Sequence, residues 1–489
     1  MQLLKKIPFF LLLLPLFFCL HGAVENYGYL HLKEVSWIGL VISVCMAVLF
    51  LVIFFFTKNY VYASLICFFI GLWYLFFGAI HDAVKSISWL SFIQSYVVIV
   101  PVILVFTVAW IIFLKRNKPE QLKLFFYFNI LLLLYCIFDG WQLVSRYNRS
   151  VKTLPVRAVA FDTAKVSHKP NVYLLVFDEY AGYRSLKDSF GFANDSLYDF
   201  MRQNEFKELP VFSNYDYTAF SMSSILNMQY VDSNYDHNVL TQQDVQNRFG
   251  EIRNAQVFSI FKSMNYTIEN YSIFGIKGHP ALSTVNPVFP IHAALLTDKI
   301  FHYRLFKDLG WWITGDKIDI PFIREHYVLR DDVFNKKAAD MVMQTAKKKT
   351  AGPKFCYAHF LLPHGPYFRD SSGALINPKQ MQDLFNKPVY LSYLKYANTV
   401  IRSLVTTLVA NDPDAVIIIM SDHGYYCYDV PALDAPYNYD NFCLVRFPHK
   451  NYLPYKERWS MVNFFPYLFN CEFGQAIPYI KDSSIFVND

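Results

Sequence analysis

Four apolar runs in the first third of the chain, Ser36 to Thr57, Val61 to Ile80, Trp89 to Leu114 and Leu122 to Val144, each reach the roughly 20 residues needed to cross a bilayer. Within hydrocarbon a backbone must satisfy its own N–H and C=O groups, and a helix does this inside one segment. These four runs are therefore read as transmembrane helices. A shorter fifth run, Ile7 to Leu20, follows Lys5 and Lys6 and competes with a signal peptide. No small-x-small cleavage site follows it, and Phe18 before Cys19 does not suit a lipoprotein signal, so an uncleaved helix is the better expectation. Residues 1–145 are expected to form a bundle of about five helices.

The distribution of charge orients this bundle. Of 45 Lys+Arg and 39 Asp+Glu, 11 and 5 precede residue 151, and the rest balance at 34 each. The net +6 belongs to the membrane third, which leaves no basic patch for nucleic acid in the polar part. With a cytoplasmic N-terminus, the inner segments carry Lys5, Lys6, Lys58, Lys115, Arg116, Lys118 and Lys123, whereas the outer loops carry only Lys33 and Lys85. The positive-inside rule then places everything after residue 145 outside the cytoplasm, in a multi-pass protein of the inner or plasma membrane.

Residues 146–170 are polar and without clear period, as in a linker, and residues 171–489 read as an exported globular domain. Buried-strand runs, VYLLVF (172–177), KFCYAHFLL (354–362), AVIIIM (415–420) and CLVRF (443–447), alternate with helical patterns at 256–264, 332–348, 390–410 and 458–470. Such alternation predicts an α/β domain with a mostly parallel sheet between helices. Cys356, Cys427, Cys443 and Cys471 can pair in an oxidising compartment, with connectivity that spacing leaves open. There is no CxxC or CxxxC pair, so a cysteine zinc site is not expected.

Ligand sites in parallel sheets gather beyond the carboxyl ends of strands. Asp178 and Glu179 directly follow VYLLVF. A carboxylate there is costly unless paired or bound to a cation, so Asp178 is either a metal ligand or a loop carboxylate. SDHG, Ser421 to Gly424, follows AVIIIM and offers the oxygen of Asp422 and the nitrogen of His423, with a structural turn as the alternative. In PHGPY, His364 stands between two prolines that keep it out of regular structure. His359, inside its strand, is as well read as a core histidine as a substrate contact. ELPVF reads as a strand, SNYDY as a loop and SMSSILNM as a helix start, which puts Thr218 at a helix N-terminus. There it can cap the helix. It can equally stand where free N–H groups and the helix dipole hold a phosphate or sulfate, as a nucleophile whose hydroxyl a cation makes more acidic.

VFDEY, YTAFSMSSILNM, HFLLPHGPY and SDHG, in this order, resemble the strand-end carboxylate, nucleophile turn, substrate histidine and Asp-His metal pair of the alkaline phosphatase superfamily, sulfatase-like branch. An exported domain behind five membrane segments further resembles lipoteichoic acid synthases and the phosphoethanolamine transferases of lipid A. The resemblance implies that Thr218 is the nucleophile and also touches the metal, that Asp178, Asp422 and His423 complete the metal site, and that His364 contacts the transferred group or assists the leaving group. It implies one divalent ion, Mn, Zn or Mg, a phospholipid donor, and a cell-surface glycan or lipid acceptor. Sulfatases carry C/S-x-P-x-R, whose Cys or Ser becomes formylglycine. Here TAFSM has Thr at the nucleophile, Phe for Pro and Met for Arg, which disfavours sulfate-ester hydrolysis and points to phosphoryl chemistry. Glu179 stands where many sulfatases have another metal-binding Asp, and it is left out of the expected site. A phosphodiesterase or sulfatase-like hydrolase of the same fold, and a catalytically silent glycan-binding membrane protein, are the competing expectations.

Overall fold

The computed structural model describes residues 4, 6–27, 30, 32–150, 159–231, 240, 242–282, 294–313, 320–321, 324, 329–381, 383–425 and 435–487. The chain forms two compact units, Met1–Lys152 with Val285–Val328, and Thr153–Thr284 with Leu329–Asp489. Of the linker expected over 146–170, residues 151–158 lie outside the described residues, and its first five residues end the helix that runs to Ser150.

The first unit is helical. Helices α2 (Leu32–Thr57), α3 (Tyr60–Ser86), α4 (Tyr96–Arg116) and α5 (Glu120–Ser150) are long and apolar enough to cross a membrane. Helix α1 (Phe10–Glu25) has 16 residues and is shorter, so the five expected spans are four by this measure plus a shorter helix. The run expected to start at Trp89 instead opens with a 3-10 turn, Ser88–Ile93, before α4. Exposed Phe55, Phe56, Val97, Val105 and Trp141 leave α2, α4 and α5 with apolar outer faces, as lipid requires. Helix α1 is not peripheral to this bundle. Phe10 packs edge-on against Phe68 and Phe125, and Asn129 of α5 accepts from Phe10 N at 2.7 Å, satisfying one of the N–H groups a helix start leaves open.

Residues 285–328, expected within the exported domain, belong to this helical unit. Their described part forms α8 (Ala294–Thr297) and α9 (Phe301–Ile313). Two membrane-helix glycines make the seat. A Cβ on Gly22 of α1 would lie 2.2 Å from Leu296 Cδ1, and one on Gly78 of α3 would lie 2.4 Å from Asp298 O. Gly78 N also donates to Lys299 O at 2.8 Å. Arg304 bridges Asp82 (2.6 Å) and Asp308 (3.1 Å), Tyr96 donates to Asp308 (2.8 Å), and Phe301 meets Phe77 edge-on.

The second unit is built on six strands, β1 (Val172–Phe177), β2 (Lys207–Glu208), β4 (Thr267–Tyr271), β5 (Lys354–Phe360), β6 (Val416–Ser421) and β7 (Cys443–Arg446), in the order β2-β7-β6-β1-β5-β4. The four from β6 to β4 are parallel, while β7 and β2 are antiparallel additions. The α/β class and mostly parallel sheet expected from the sequence are thus observed, and the central strands are fully buried because helices cover both faces. ELPVF, expected as one strand, splits between β2 and β3 (Val211–Phe212), which pairs with β8 (Trp459–Ser460) in a separate ribbon. That pairing also moves the start of the helix expected from 458 to Phe464. Cys356, Cys443 and Cys471 are buried free thiols, and Cys427 lies outside the described residues.

Candidate metal centre and nucleophile

The register of the three central strands brings the distant motifs together. Phe177 pairs with Phe360 on one side and Ser421 on the other, so β1, β5 and β6 end at one level. The next residue of β1 is Asp178 and the next of β6 is Asp422, so two carboxylates emerge side by side. Both are buried. His359, one residue before the end of β5, points its Nε2 to within 3.8 Å of Asp178 Oδ2. Ligand atoms of Asp178, His359 and Asp422 all lie within 4.8 Å of one another. His423 Nε2 lies 3.5 Å from both Asp178 Oδ1 and Asp422 Oδ2.

Helix α6 (Thr218–Asn227) closes the cluster. Thr218 is its first helical residue; Tyr217 takes the N-cap position, extended and without a side-chain cap bond. The Thr218 hydroxyl is turned the other way, 3.3 Å from Asp178 Oδ1 and 3.2 Å from His423 Nε2. Of the two roles open to it in the sequence, capping is the one the geometry removes. Three residues on, one helical turn, Ser221 Oγ donates to Asp422 O at 2.6 Å and fastens the helix to the end of β6. Behind it Met222, Ile225 and Leu226 enter the core.

Electrostatics show what this arrangement lacks. Burial raises the Asp178 carboxyl, but His364, His359 and His423 outweigh it and hold it well below the usual carboxylate range. Burial and the neighbouring Asp178 push Asp422 up. Two adjacent buried carboxylates behave this way when positive charge is short. Burial lowers His364, yet Asp178, Glu179 and the Gly365 carbonyl bring it up to about 9. His423 is raised in the same manner against burial by Asp422, Asp178 and Glu179. Its Nδ1 faces Gly424 O at 2.7 Å and must be the protonated nitrogen, which leaves the Nε2 lone pair of the neutral ring toward Thr218 and the carboxylates.

A divalent cation fits this donor set. Asp422 Oδ2 and His359 Nε2 are buried with no hydrogen-bond partner among the described residues, a costly state that a coordinated ion removes. Oxygen and imidazole donors around a hydroxyl suit Mn, Zn or Mg. All six residues singled out in the sequence converge: Asp178, Thr218, His359, Asp422 and His423 by distance, and His364 through its field on Asp178. Glu179, set aside on sequence, is buried beside them and its charge acts on both His364 and His423. Its place directly after Asp178 was the available signal.

Strand-end side chains gathered at the carboxyl edge of a mostly parallel sheet mark the class of α/β proteins whose ligand site lies beyond the strand ends. Within that class the sulfatase family model matches residues 188 to 469, more than half of the chain, and the chain belongs to the sulfatase family. The match includes Thr218, His359, His364, Asp422 and His423, and begins after Asp178. No curated protein matches the sequence. Among solved structures, the chain is similar to the C-terminal periplasmic domain of EcEptC from Escherichia coli in complex with Zn, at 14% identity and TM-score 0.40, covering 69% of this chain and 90% of that one. It is also similar to the phosphonate monoester hydrolase SpPMH from Silicibacter pomeroyi (12%, TM-score 0.39, 65% and 76% covered). A third is the putative sulfatase yidJ from Bacteroides fragilis (13%, TM-score 0.39, 66% and 77% covered).

Proposed function

We propose that the protein is a membrane-anchored phosphotransferase that moves a phospho-head group, phosphoglycerol or phosphoethanolamine, from a phospholipid to a glycan or lipid acceptor outside the cytoplasm. The observation that carries this is the Thr218 hydroxyl, uncapped at a helix N-terminus and within 3.3 Å of both an Asp and a His of the cluster. Threonine cannot become formylglycine, so the nucleophile of this sulfatase-family chain is a hydroxyl suited to phosphoryl transfer. Four apolar helices hold the protein in the bilayer where such donors reside.

Asp178, Asp422, His423 and Thr218 would hold the divalent ion, with His359 as a further donor; when bound, it acidifies the hydroxyl and offsets charge on the phosphoryl oxygens. Thr218 Oγ, its proton lost to solvent because the hydroxyl is the more acidic for sitting among these ligands, attacks the donor phosphorus. The bond from phosphorus to the diacylglycerol oxygen breaks, and His364, whose proton the nearby Asp178 and Glu179 favour against burial, donates it to that oxygen. The result is a threonyl phosphodiester. An acceptor hydroxyl then attacks phosphorus, passes its proton to His364, and Thr218 Oγ leaves and recovers a proton. Backbone N–H groups left open at the start of α6 would receive the phosphoryl oxygens. Incubating the full-length protein with mixed phospholipids and mapping adducts by mass spectrometry tests this. A head-group phosphodiester on Thr218 is expected, its mass naming the donor. Donor consumption without a Thr218 adduct, or equal consumption with water as sole acceptor, refutes the transferase in favour of a hydrolase.

A further inference from the structure

One phenol touches all three loops that bring residues to the site. Tyr390, in the first turn of α11 (Lys387–Asn411), is fully buried. Its hydroxyl donates to Glu179 O at 2.7 Å and accepts from Ala181 N at 3.0 Å, so it grips the turn after β1 from both sides. Its ring packs 4.4 Å from that of Tyr425, the residue after SDHG, and 6.0 Å from that of Tyr367 in HGPY. These are the segments that carry Asp178, Asp422 with His423, and His364.

The turn it grips needs holding. Glu179 has φ 59, the left-handed region, and a residue with a Cβ adopts it at a cost of about 1 kcal/mol or more. Its N–H donates to Asp422 Oδ1 at 3.2 Å and its carbonyl receives Tyr390, so the strained unit is tied on one side to the cluster and on the other to the phenol. Without the second tie the peptide can relax toward negative φ, which swings Asp178 and Glu179 relative to β6.

We propose that Tyr390 is a positioning residue that sets the geometry of the cation site through the 178–181 turn without touching the ion or substrate. This rests on the metal-dependent reading above but not on any particular donor or acceptor. The test is Tyr390→Phe in the full-length protein, with Mn2+ binding followed by electron paramagnetic resonance. An orienting partner one step removed from ligands changes affinity by about tenfold or more, so the Mn2+ Kd should rise at least about tenfold, with an altered line shape. An unchanged Kd in folded Tyr390→Phe overturns the assignment. Phe190→Leu is the packing control, since Phe190 touches the same ring at 5.3 Å. It should lower the melting midpoint with Kd within about twofold; weakening equal to that of Tyr390→Phe makes the effect mere packing and also overturns it. Should Tyr390→Phe fail to accumulate, Tyr390→Met likewise deletes the hydroxyl while a flexible side chain fills the space. A Kd raised at least several-fold supports the assignment and an unchanged Kd refutes it. Mn2+ binding is read without donor or acceptor, so a protein that binds Mn2+ normally yet transfers nothing refutes the transferase and leaves Tyr390 to its own measurement. A wild-type protein that binds neither Mn2+ nor Zn2+ refutes both.

Discussion

Thr218→Ala separates a nucleophile from a helix cap because the two roles predict opposite pairs of results. A side-chain cap contributes about 1 kcal/mol, and its loss would lower stability by that amount. Thr218 makes no cap bond, and Tyr217 occupies the cap position. Alanine has the higher helix propensity by up to roughly 0.7 kcal/mol, which offsets the lost contacts of a half-buried hydroxyl with Asp178 and His423. The net change should stay within about 0.5 kcal/mol, a melting shift of no more than about 2 °C in a unit this size. Turnover should behave differently. Deleting the atom that bonds to phosphorus removes the two-step route, and a loss of at least about 10³-fold corresponds to roughly 4 kcal/mol of barrier. Phospholipid consumption in vesicles, beside the thermal midpoint of the same preparation, reads both. Thr218→Ser, which keeps the oxygen, should retain turnover within about a hundredfold and still form the adduct. A Thr218→Ala protein that loses a full cap's worth of stability and keeps a tenth of its turnover would refute the reasoning.

Asp422→Asn removes one of two adjacent buried carboxylates, and the purified protein should hold its divalent ion at least about tenfold more weakly, as metal analysis after dialysis would show. Gly78→Leu places a Cβ 2.4 Å from Asp298 O and 2.7 Å from Lys299 Cα, backbone atoms that no rotamer change relieves. Strain of about 1–3 kcal/mol should loosen residues 294–313, so amide hydrogen exchange across them should quicken several-fold. Burial pushes the Glu472 carboxyl from 4.5 up to about 7, and both its oxygens are buried without hydrogen-bond partners among the described residues. A raised folded pKa means the folded state holds the extra proton, so Glu472 is best tolerated below about pH 4.5 and its contribution is lost as pH rises through about 7. Glu472→Gln should therefore flatten the fall in melting midpoint between about pH 5 and 8, gaining up to about 3 kcal/mol over wild type at the alkaline end and little at the acid end.

The centre of the site was legible because it is written in local rules. A buried strand must end somewhere, and a carboxylate or histidine at that end is already at the edge of a sheet, so VFDEY, HFLLPHGPY and SDHG needed only parallel pairing to meet. What local rules could not supply is the choice within each loop. His359 alternates with its neighbours along a strand buried on both faces, where a ligand and a core histidine look alike in sequence. Only the register reveals that it sits beside Asp178. Tyr390 is less visible still: it is one of many tyrosines on an amphipathic helix, and its hydroxyl matters because of a left-handed turn more than two hundred residues earlier in the chain.

The excursion at 285–328 shows the other limit. Hydropathy finds membrane helices because about 20 apolar residues in a row have few alternatives. Helix α9 has 13 residues and keeps Arg304, Lys307 and Asp308 among its aromatics, so by composition it is an ordinary amphipathic helix of the polar domain. What assigns it to the helical unit is complementarity held by its partner: glycines at 22 and 78, where any side chain would collide with the incoming segment, and Asp82 placed for Arg304. A glycine inside a membrane helix is ambiguous in sequence, since it can mark a kink, a helix crossing or a seat for a distant loop. Two such glycines, on α1 and α3, filled by residues only two apart in the same loop, Leu296 and Asp298, resolve the ambiguity. The two glycines should therefore respond differently: Leu296→Ala should restore whatever melting midpoint Gly22→Ala loses, because only a side-chain tip stands there, whereas no side-chain change should rescue Gly78→Ala, whose Cβ meets the backbone at Asp298 O.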